Sequence, residues 1–190
     1  QIKNKLNLDR NCKYLFFAGV TFPFDEKNSL KILNNVIDKK YKNLKIIYKA
    51  HPYGRVKVDN IFIKKLKNII VIPENKFSEF KNYYFLLNSI EGIISPFSTM
   101  VLEGLYYNKP ALCLAFNDNN MNTFDWNNNS LFQPHLQILR KHKNPIWCYE
   151  KSKLEDKFIF FVNNLKRLSN NKTVFRKIIN DSIYMSNKNY

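Results

Sequence analysis

Glycine is scarce in this sequence, with four in 190 residues. Neither GxGxxG nor GxxxxGK[ST] occurs, which excludes the usual dinucleotide fingerprint and the P-loop as ways of holding phosphate. Cysteine is scarcer still. Cys12, Cys113 and Cys148 are three widely scattered residues without CxxC spacing. An odd, scattered set argues against a disulfide framework and a zinc site, and fits a reducing, cytoplasmic setting with Cys113 as a core thiol. No HExxH or His/Asp cluster suggests a metal, and no GxSxG suggests a hydrolase elbow. Asp118 and Asp125 lack the glycine and closing glutamate of a calcium loop. No apolar run approaches the roughly 18 residues of a membrane span. The opening QIKNKLNLDRN is polar and resembles no signal peptide. It begins without Met, so a fragment or a processed product is expected.

Acidic residues are also few, 15 against 31 Lys and Arg, for a formal charge of +16. A basic surface attracts nucleic acid, anionic lipid or phosphorylated substrates. The chain is crowded with Lys, Asn and Ile together, as AT-rich coding would give. Most of the surplus therefore reads as solvated surface, useful near a membrane face. A basic nucleic-acid-binding module stays open as a reading from another class. It lacks a recognised RNA motif, so no nucleic-acid partner is expected.

What is present argues for a folded globule: 45% hydrophobic residues and 15% aromatics. The length suits one domain over residues 1–190. Short apolar runs at 13–18, 44–48, 69–72, 92–94, 111–116 and 146–149 predict strands. Between them lie helical patterns at 25–40, 77–89 and 100–107. Phe77, Phe80, Tyr84, Leu87 and Ile90 share one face of the second, and Val101, Leu102, Leu105 and Tyr106 one face of the third. Residues 58–66 read as a short helix or crossover, 133–141 as a short helix, and 154–168 and 174–185 as two helices of a terminal region, 151–190. The polar run 117–130 reads as a flexible loop or lid. The alternation predicts an α/β fold with a doubly wound parallel sheet and right-handed crossovers.

The stretch 91–116, EGIISPFSTMVLEGLYYNKPALCLAF, organises the rest as strand, turn, helix, turn, strand. Either Ser95, with Pro96 at the first helical position, or Ser98 caps the helix. Asn108 suits a left-handed stop before Pro110. Such a unit puts the helix N-terminus at the carboxyl edge of the sheet, where these folds bind ligands. There Ser98, Thr99 and free N–H groups make an anion site. Glu103 lies on the same face about 6 Å further along, which suits a ribose one turn below a phosphate. A capping hydroxyl and a surface Glu fit the same residues. The second loop is Lys49-Ala50-His51-Pro52. Pro52 stops sheet pairing, so His51 projects from the sheet edge. An imidazole there donates a hydrogen bond to phosphate and, if protonated, offsets charge, with Lys49 and Arg55 adding positive potential. A structural histidine beside a turn fits equally. His142, in a basic stretch, reads as solvated.

The KAHP loop followed by SPFSTMVLEGLYYNKPALCL resembles the C-terminal, nucleotide-sugar-binding half of GT-B glycosyltransferases. The likeness covers roughly residues 13–168 and is to the bacterial surface-polysaccharide branch, with its Kdo transferases of capsule synthesis and sialyltransferases that carry HP and Ser-Ser or Ser-Thr motifs. It implies a Rossmann-like sheet forming one half of a GT-B fold. His51, the candidate catalytic group, and Ser98-Thr99 would contact the donor phosphates, and Glu103 the ribose. The Gly19-Val20-Thr21 loop would face the interdomain cleft, Pro73-Glu74 would border the base, and His135 would approach the site. Asn108 departs from the Gly usual before Lys-Pro. The implied donor is a CMP- or UDP-linked sugar, without cofactor or metal, and the acceptor a surface polysaccharide or glycolipid. An N-terminal acceptor domain, the usual source of the base, has no room here. A cytoplasmic location at the inner face of the membrane, with peripheral association, is expected alongside it, in keeping with the cysteine pattern and the lysine excess. Polyol-phosphate transfer from CDP-glycerol is the alternative on the same fold.

Overall fold

The computed structural model describes residues 8–22, 24–54, 58–71, 80–116, 134–142 and 145–187. Arg55, Pro73, Glu74 and the predicted loop 117–130 lie outside them. In chain order the elements are β1 (Lys13–Ala18), α1 (Glu26–Lys40), β2 (Leu44–Lys49), α2 (Asn60–Lys64), β3 (Ile69–Val71), α3 (Phe80–Ser89), β4 (Gly92–Pro96) and α4 (Thr99–Tyr106). There follow β5 (Ala111–Leu114), α5 (Pro134–Gln137) with a 3-10 turn, β6 (Ile146–Cys148), α6 (Leu154–Asn163), α7 (Leu165–Ser169) and α8 (Lys172–Asn187).

The six strands form one sheet in the order β3-β2-β1-β4-β5-β6, and all five pairings are parallel. This is the doubly wound order of dinucleotide-binding folds. Both faces of the sheet are covered, so the strands need continuous apolar sequence rather than alternation. In β1, Leu15 and Phe17 pack with Val36 and Ile37 of α1 and Phe158 and Phe161 of α6. Tyr14 and Phe16 point the other way, to Leu86 and Leu87 of α3, Val101 and Leu105 of α4, and Phe175 and Ile178 of α8. Each of these buried side chains contributes about 1.5–3 kcal/mol of transfer free energy. A Cβ on Gly104 would come within 2.6 Å of Ile93 Cδ1, so glycine lets α4 lie close against β4.

Helix ends follow local chemistry. Asp25 caps α1 by accepting from the Asn28 N–H. Asn108 takes φ 56° after α4, the left-handed stop predicted for it. The Lys109 N–H reaches the Gly104 carbonyl and the Asn108 N–H the Leu105 carbonyl, closing a Schellman motif.

Of the two cap candidates, Ser98 holds the cap position, and Ser95 lies within β4, which ends at Pro96. Three expectations need correction. The predicted helix 154–168 is broken at Asn164, whose side-chain amide donates to the Phe160 carbonyl and competes with the helical ladder. On α3, Tyr84 is exposed and Tyr83 turns inward, edge-on to Phe16, because neighbours on a helix point about 100° apart. Tyr106 of α4 is likewise exposed.

Candidate functional site

The sheet order reverses between β1 and β4. The chain leaves β1 toward β2 and leaves β4 toward β5, which opens a crevice at their carboxyl ends. Gly19, Val20 and Thr21 line one side of it and Ser95 to Thr99 the other. Ser95 spans the divide: its Oγ, fully buried, donates to the Ala18 carbonyl at 3.2 Å. The neighbouring β2 ends beside β1, with the Gly19 N–H donating to the Lys49 carbonyl. The two loops that the sequence singles out thus meet at one edge.

Residues 51–54 form a β-turn, with the Gly54 N–H donating to the His51 carbonyl at 2.9 Å. Pro52 sets φ at the second position and no residue of the turn has a positive φ, which makes it type I. The turn fixes the imidazole. His51 Nδ1 accepts from the Tyr53 N–H at 3.2 Å, so the neutral ring carries its proton on Nε2. Partial burial and then the Lys49 charge push the His51 pKa down from 6.5. His51 is therefore a neutral hydrogen-bond donor near pH 7, and positive potential at this edge comes from Lys49 and the dipole of α4.

Ser98 sits in extended backbone at the N-cap of α4, yet its hydroxyl makes no capping bond. It lies 2.8 Å from Ser95 Oγ instead. Since Ser95 gives its proton to Ala18, Ser98 is the donor between them. The Val101 N–H turns back to the Ser98 carbonyl at 3.1 Å, while the Thr99 and Met100 N–H groups ahead of it, at the carboxyl edge, receive no cap from the Ser98 side chain. Thr99 beside it is exposed. Glu103, one turn on and half-buried, accepts from the Tyr83 hydroxyl at 3.0 Å through Oε2. Its Oε1 takes no protein hydrogen bond among the described residues. A carboxylate fixed through one oxygen and open at the other can receive a hydroxyl pair.

Three contributors escaped the sequence reading: Ser95, Tyr83 and Glu26. Glu26 opens α1, where an acidic residue is ordinarily a solvated helix-start charge. Here it is 3% exposed, beneath the Gly19 turn. Its Oε1 accepts from the Val20 N–H at 2.9 Å and its Oε2 from the Tyr48 hydroxyl at 2.5 Å. A Cβ on Gly19 would fall 2.8 Å from Glu26 Oε2 and 2.9 Å from the His51 backbone nitrogen. One of these obstacles is backbone and the other a fixed carboxylate. Gly19→Ala should therefore cost about 1–3 kcal/mol of stability, measurable by urea denaturation. It should also displace the end of β2.

The backbone of His135 lies in α5, reached by the chain after β5. His142, expected in solvent, has a side chain only 18% exposed, with Nε2 3.5 Å from Asp181 Oδ2 of α8. Among the described residues no group of three or more His, Cys, Asp or Glu side chains could hold a metal. No helix among them is long and apolar enough to cross a membrane. A concavity of about 700 Å³ opens at the opposite, amino edge of the sheet, between Lys13, Lys40, Lys42 and Lys166. Its lining includes Glu91 and the start of the five-residue α7, but among the described residues no carboxylate held by a hydrogen bond as Glu103 is, and the carboxyl edge is the better candidate.

No protein-family model and no curated protein matches the sequence. Solved structures do match. The C-terminal CMP-Kdo binding domain of WaaA from Acinetobacter baumannii superposes with a TM-score of 0.62 at 10% identity, over 94% of this chain and 94% of that one. A variant of the wall teichoic acid polymerase TagF gives 0.59 at 14% identity, over 93% of this chain but 41% of TagF. UDP-GlcNAc 2-epimerase from Neisseria meningitidis, bound to UDP-GlcNAc, gives 0.57 at 14% identity, over 98% of this chain and 46% of that one. The chain thus has the Rossmann-like α/β fold of the C-terminal half of GT-B proteins. It spans about two fifths of the polymerase, 41%, and nearly all of the WaaA domain, 94%.

Proposed function

We propose that this chain is the donor-binding half of a glycosyltransferase that moves a sugar from a nucleotide-activated donor to a surface polysaccharide or glycolipid acceptor. The observation that carries the reading is convergence. His51 follows β2, Ser98 and Thr99 follow β4 at the start of α4, and the Tyr83-held Glu103 lies one turn further on, so the sheet's topology brings all of them toward its carboxyl edge, where the strand order reverses. The match to a CMP-Kdo binding domain over 94% of both chains supports the nucleotide half of the reading.

In this reading the donor phosphates sit between His51 and α4. Charge developing on the leaving phosphate is stabilised by the Nε2–H, the hydroxyls and the helix N–H groups, and no metal is required. Ser98 turns its hydroxyl proton from Ser95 to the phosphate. Glu103 Oε1 accepts from the ribose. Lys49 and Arg55 add positive potential, Thr21 lies at the cleft, Pro73-Glu74 border the base and His135 approaches from α5. The acceptor and the base that activates it belong to an N-terminal domain outside this chain, and the assembled enzyme works at the inner face of the cytoplasmic membrane.

A thermal-shift panel of CMP, CDP, UDP, GDP and their sugars tests this. A matching nucleotide at one hundred times its Kd should add about 2.7 kcal/mol. Glu103→Ala should weaken nucleosides that carry both ribose hydroxyls and leave inorganic phosphate binding unchanged. Absence of stabilisation by every nucleotide would overturn the reading. The isolated chain should bind but transfer little sugar. Polyol-phosphate transfer from CDP-glycerol is the second reading, favoured by the TagF superpositions. Product analysis with CDP-glycerol against CMP- and UDP-sugars, on a chain that includes the acceptor domain, separates the two.

A further inference from the structure

Glu26 is buried, titratable and unused by the chemistry above, yet it touches both loops of the site. We propose that Glu26 is a positioning residue, a brace that holds the Gly19–Val20 turn of β1 against Tyr48 and the start of the His51 loop of β2, and so sets the spacing across the donor crevice. Its functional half rests on the donor-site reading; the brace itself belongs to the ligand-free protein.

Three contacts define the brace. One carboxylate oxygen takes the Val20 N–H and the other the Tyr48 O–H, so the side chain is fixed at both ends of its fork. Gly19 packs so closely on it that no Cβ fits, and the same missing Cβ would meet the His51 nitrogen. The His51 loop returns over the same place: a Cβ on Gly54 would lie 3.3 Å from the Val20 carbonyl. At 3% exposure Glu26 cannot reach a substrate, which rules out a role as the reacting acid. Its influence passes through backbone. Burial pushes its pKa up to about 7, against the opposing pull of the Tyr48 and Val20 hydrogen bonds. The charged or titratable groups on the surrounding elements are Tyr48 and Lys49 of β2, His51 after it, and the Asp25–Lys151 ion pair at the start of α1. A carboxylate charge beneath the crevice opposes phosphate, so the donor reading adds that nucleotide affinity falls as Glu26 ionises.

Proton and nitrogen NMR of the full chain between pH 5 and 9, without ligand, tests the brace. Apart from the imidazole's own titration below pH 6.5, the Val20 amide and the His51 Nε2 signal should share one step near pH 7, lost from both in Glu26→Gln, whose amide fills the same space. Tyr48→Phe removes a donor to the charged form and should move that step to higher pH. A Val20 signal that steps near pH 7 while His51 shows no step there, or a step near pH 7 that survives in Glu26→Gln, would overturn the brace. In a second arm, the nucleotide that best stabilises the wild type is titrated at pH 6 and pH 8. Affinity should fall roughly threefold or more in the wild type and stay level in Glu26→Gln. Equal pH dependence in the two proteins would overturn the link to binding. Failure of every nucleotide to bind the wild type would overturn the donor reading, while the NMR arm still decides the brace.

Discussion

Replacing His51 with alanine is expected to weaken nucleotide binding by roughly 10- to 100-fold without unfolding the chain, as read by calorimetry. A hydrogen bond to a charged partner contributes about 1.5–3 kcal/mol, which spans that range. The fold survives because the imidazole receives one bond, from the Tyr53 N–H, while the turn is held by backbone between His51 and Gly54. His51→Gln should recover part of the loss, since its amide can still donate. The pH profile separates donor from cation. Burial and Lys49 depress the His51 pKa below 6.5, so the ring is already neutral at pH 7 and its Nε2–H persists as pH rises. Affinity should show no His51 step above pH 6.5, where a histidine acting as a cation would lose its charge. Lys49→Ala removes one cause of the depression and should move the His51 titration upward, seen in its ring proton signals.

The sequence made the sheet legible because each strand is buried on two faces and therefore had to be a continuous apolar run. Residues 13–18 show this without error: KYLFFA has only Lys13 exposed and forms β1 from end to end. Backbone chemistry was equally plain where one residue type has few options, as with Pro52 in its turn and Asn108 at its left-handed stop. Side-chain rotation was not. Tyr83 and Tyr84 are adjacent and chemically identical, and contacts distant in sequence, with Phe16 of β1 and Glu103 of α4, determine which of them turns inward. Ser95 and Ser98 could each cap a helix by sequence; the answer depends on the Ala18 carbonyl of a strand far back in the chain. Glu26 carried no signal of burial at all. A carboxylate in the first helical turn is favourable in water, and its enclosure follows from Gly19, Tyr48 and the His51 loop meeting over it. Local sequence thus located the loops of the site, whereas the groups that hold those loops together are defined by contacts distant in sequence.

That enclosure has a consequence for stability large enough to measure. The Glu26 pKa is about 7 in the folded protein against an ordinary 4.5, raised mainly by burial. The folded state therefore holds this proton more tightly than the unfolded chain does. Stability from this group is fully present below pH 4.5 and is lost as pH rises through 7, the opposite of an ion-paired carboxylate. The shift corresponds to about 3 kcal/mol, at 1.36 kcal/mol per pH unit. For a chain of this length that amounts to roughly 6–12 °C in Tm. Other carboxylates ionise over part of the same range and bring a larger positive charge down toward +16, which raises stability as pH climbs. Glu26→Gln isolates the one group. Between pH 5 and 8 the wild type should lose stability relative to Glu26→Gln, with most of the divergence between pH 5 and 7.5, followed by urea denaturation. Parallel curves would show that Glu26 keeps an ordinary pKa in the folded chain. Tyr48→Phe supplies the second sign. Without the hydroxyl that favours the charged form, the loss on ionisation should grow, and the divergence should extend above pH 7.5.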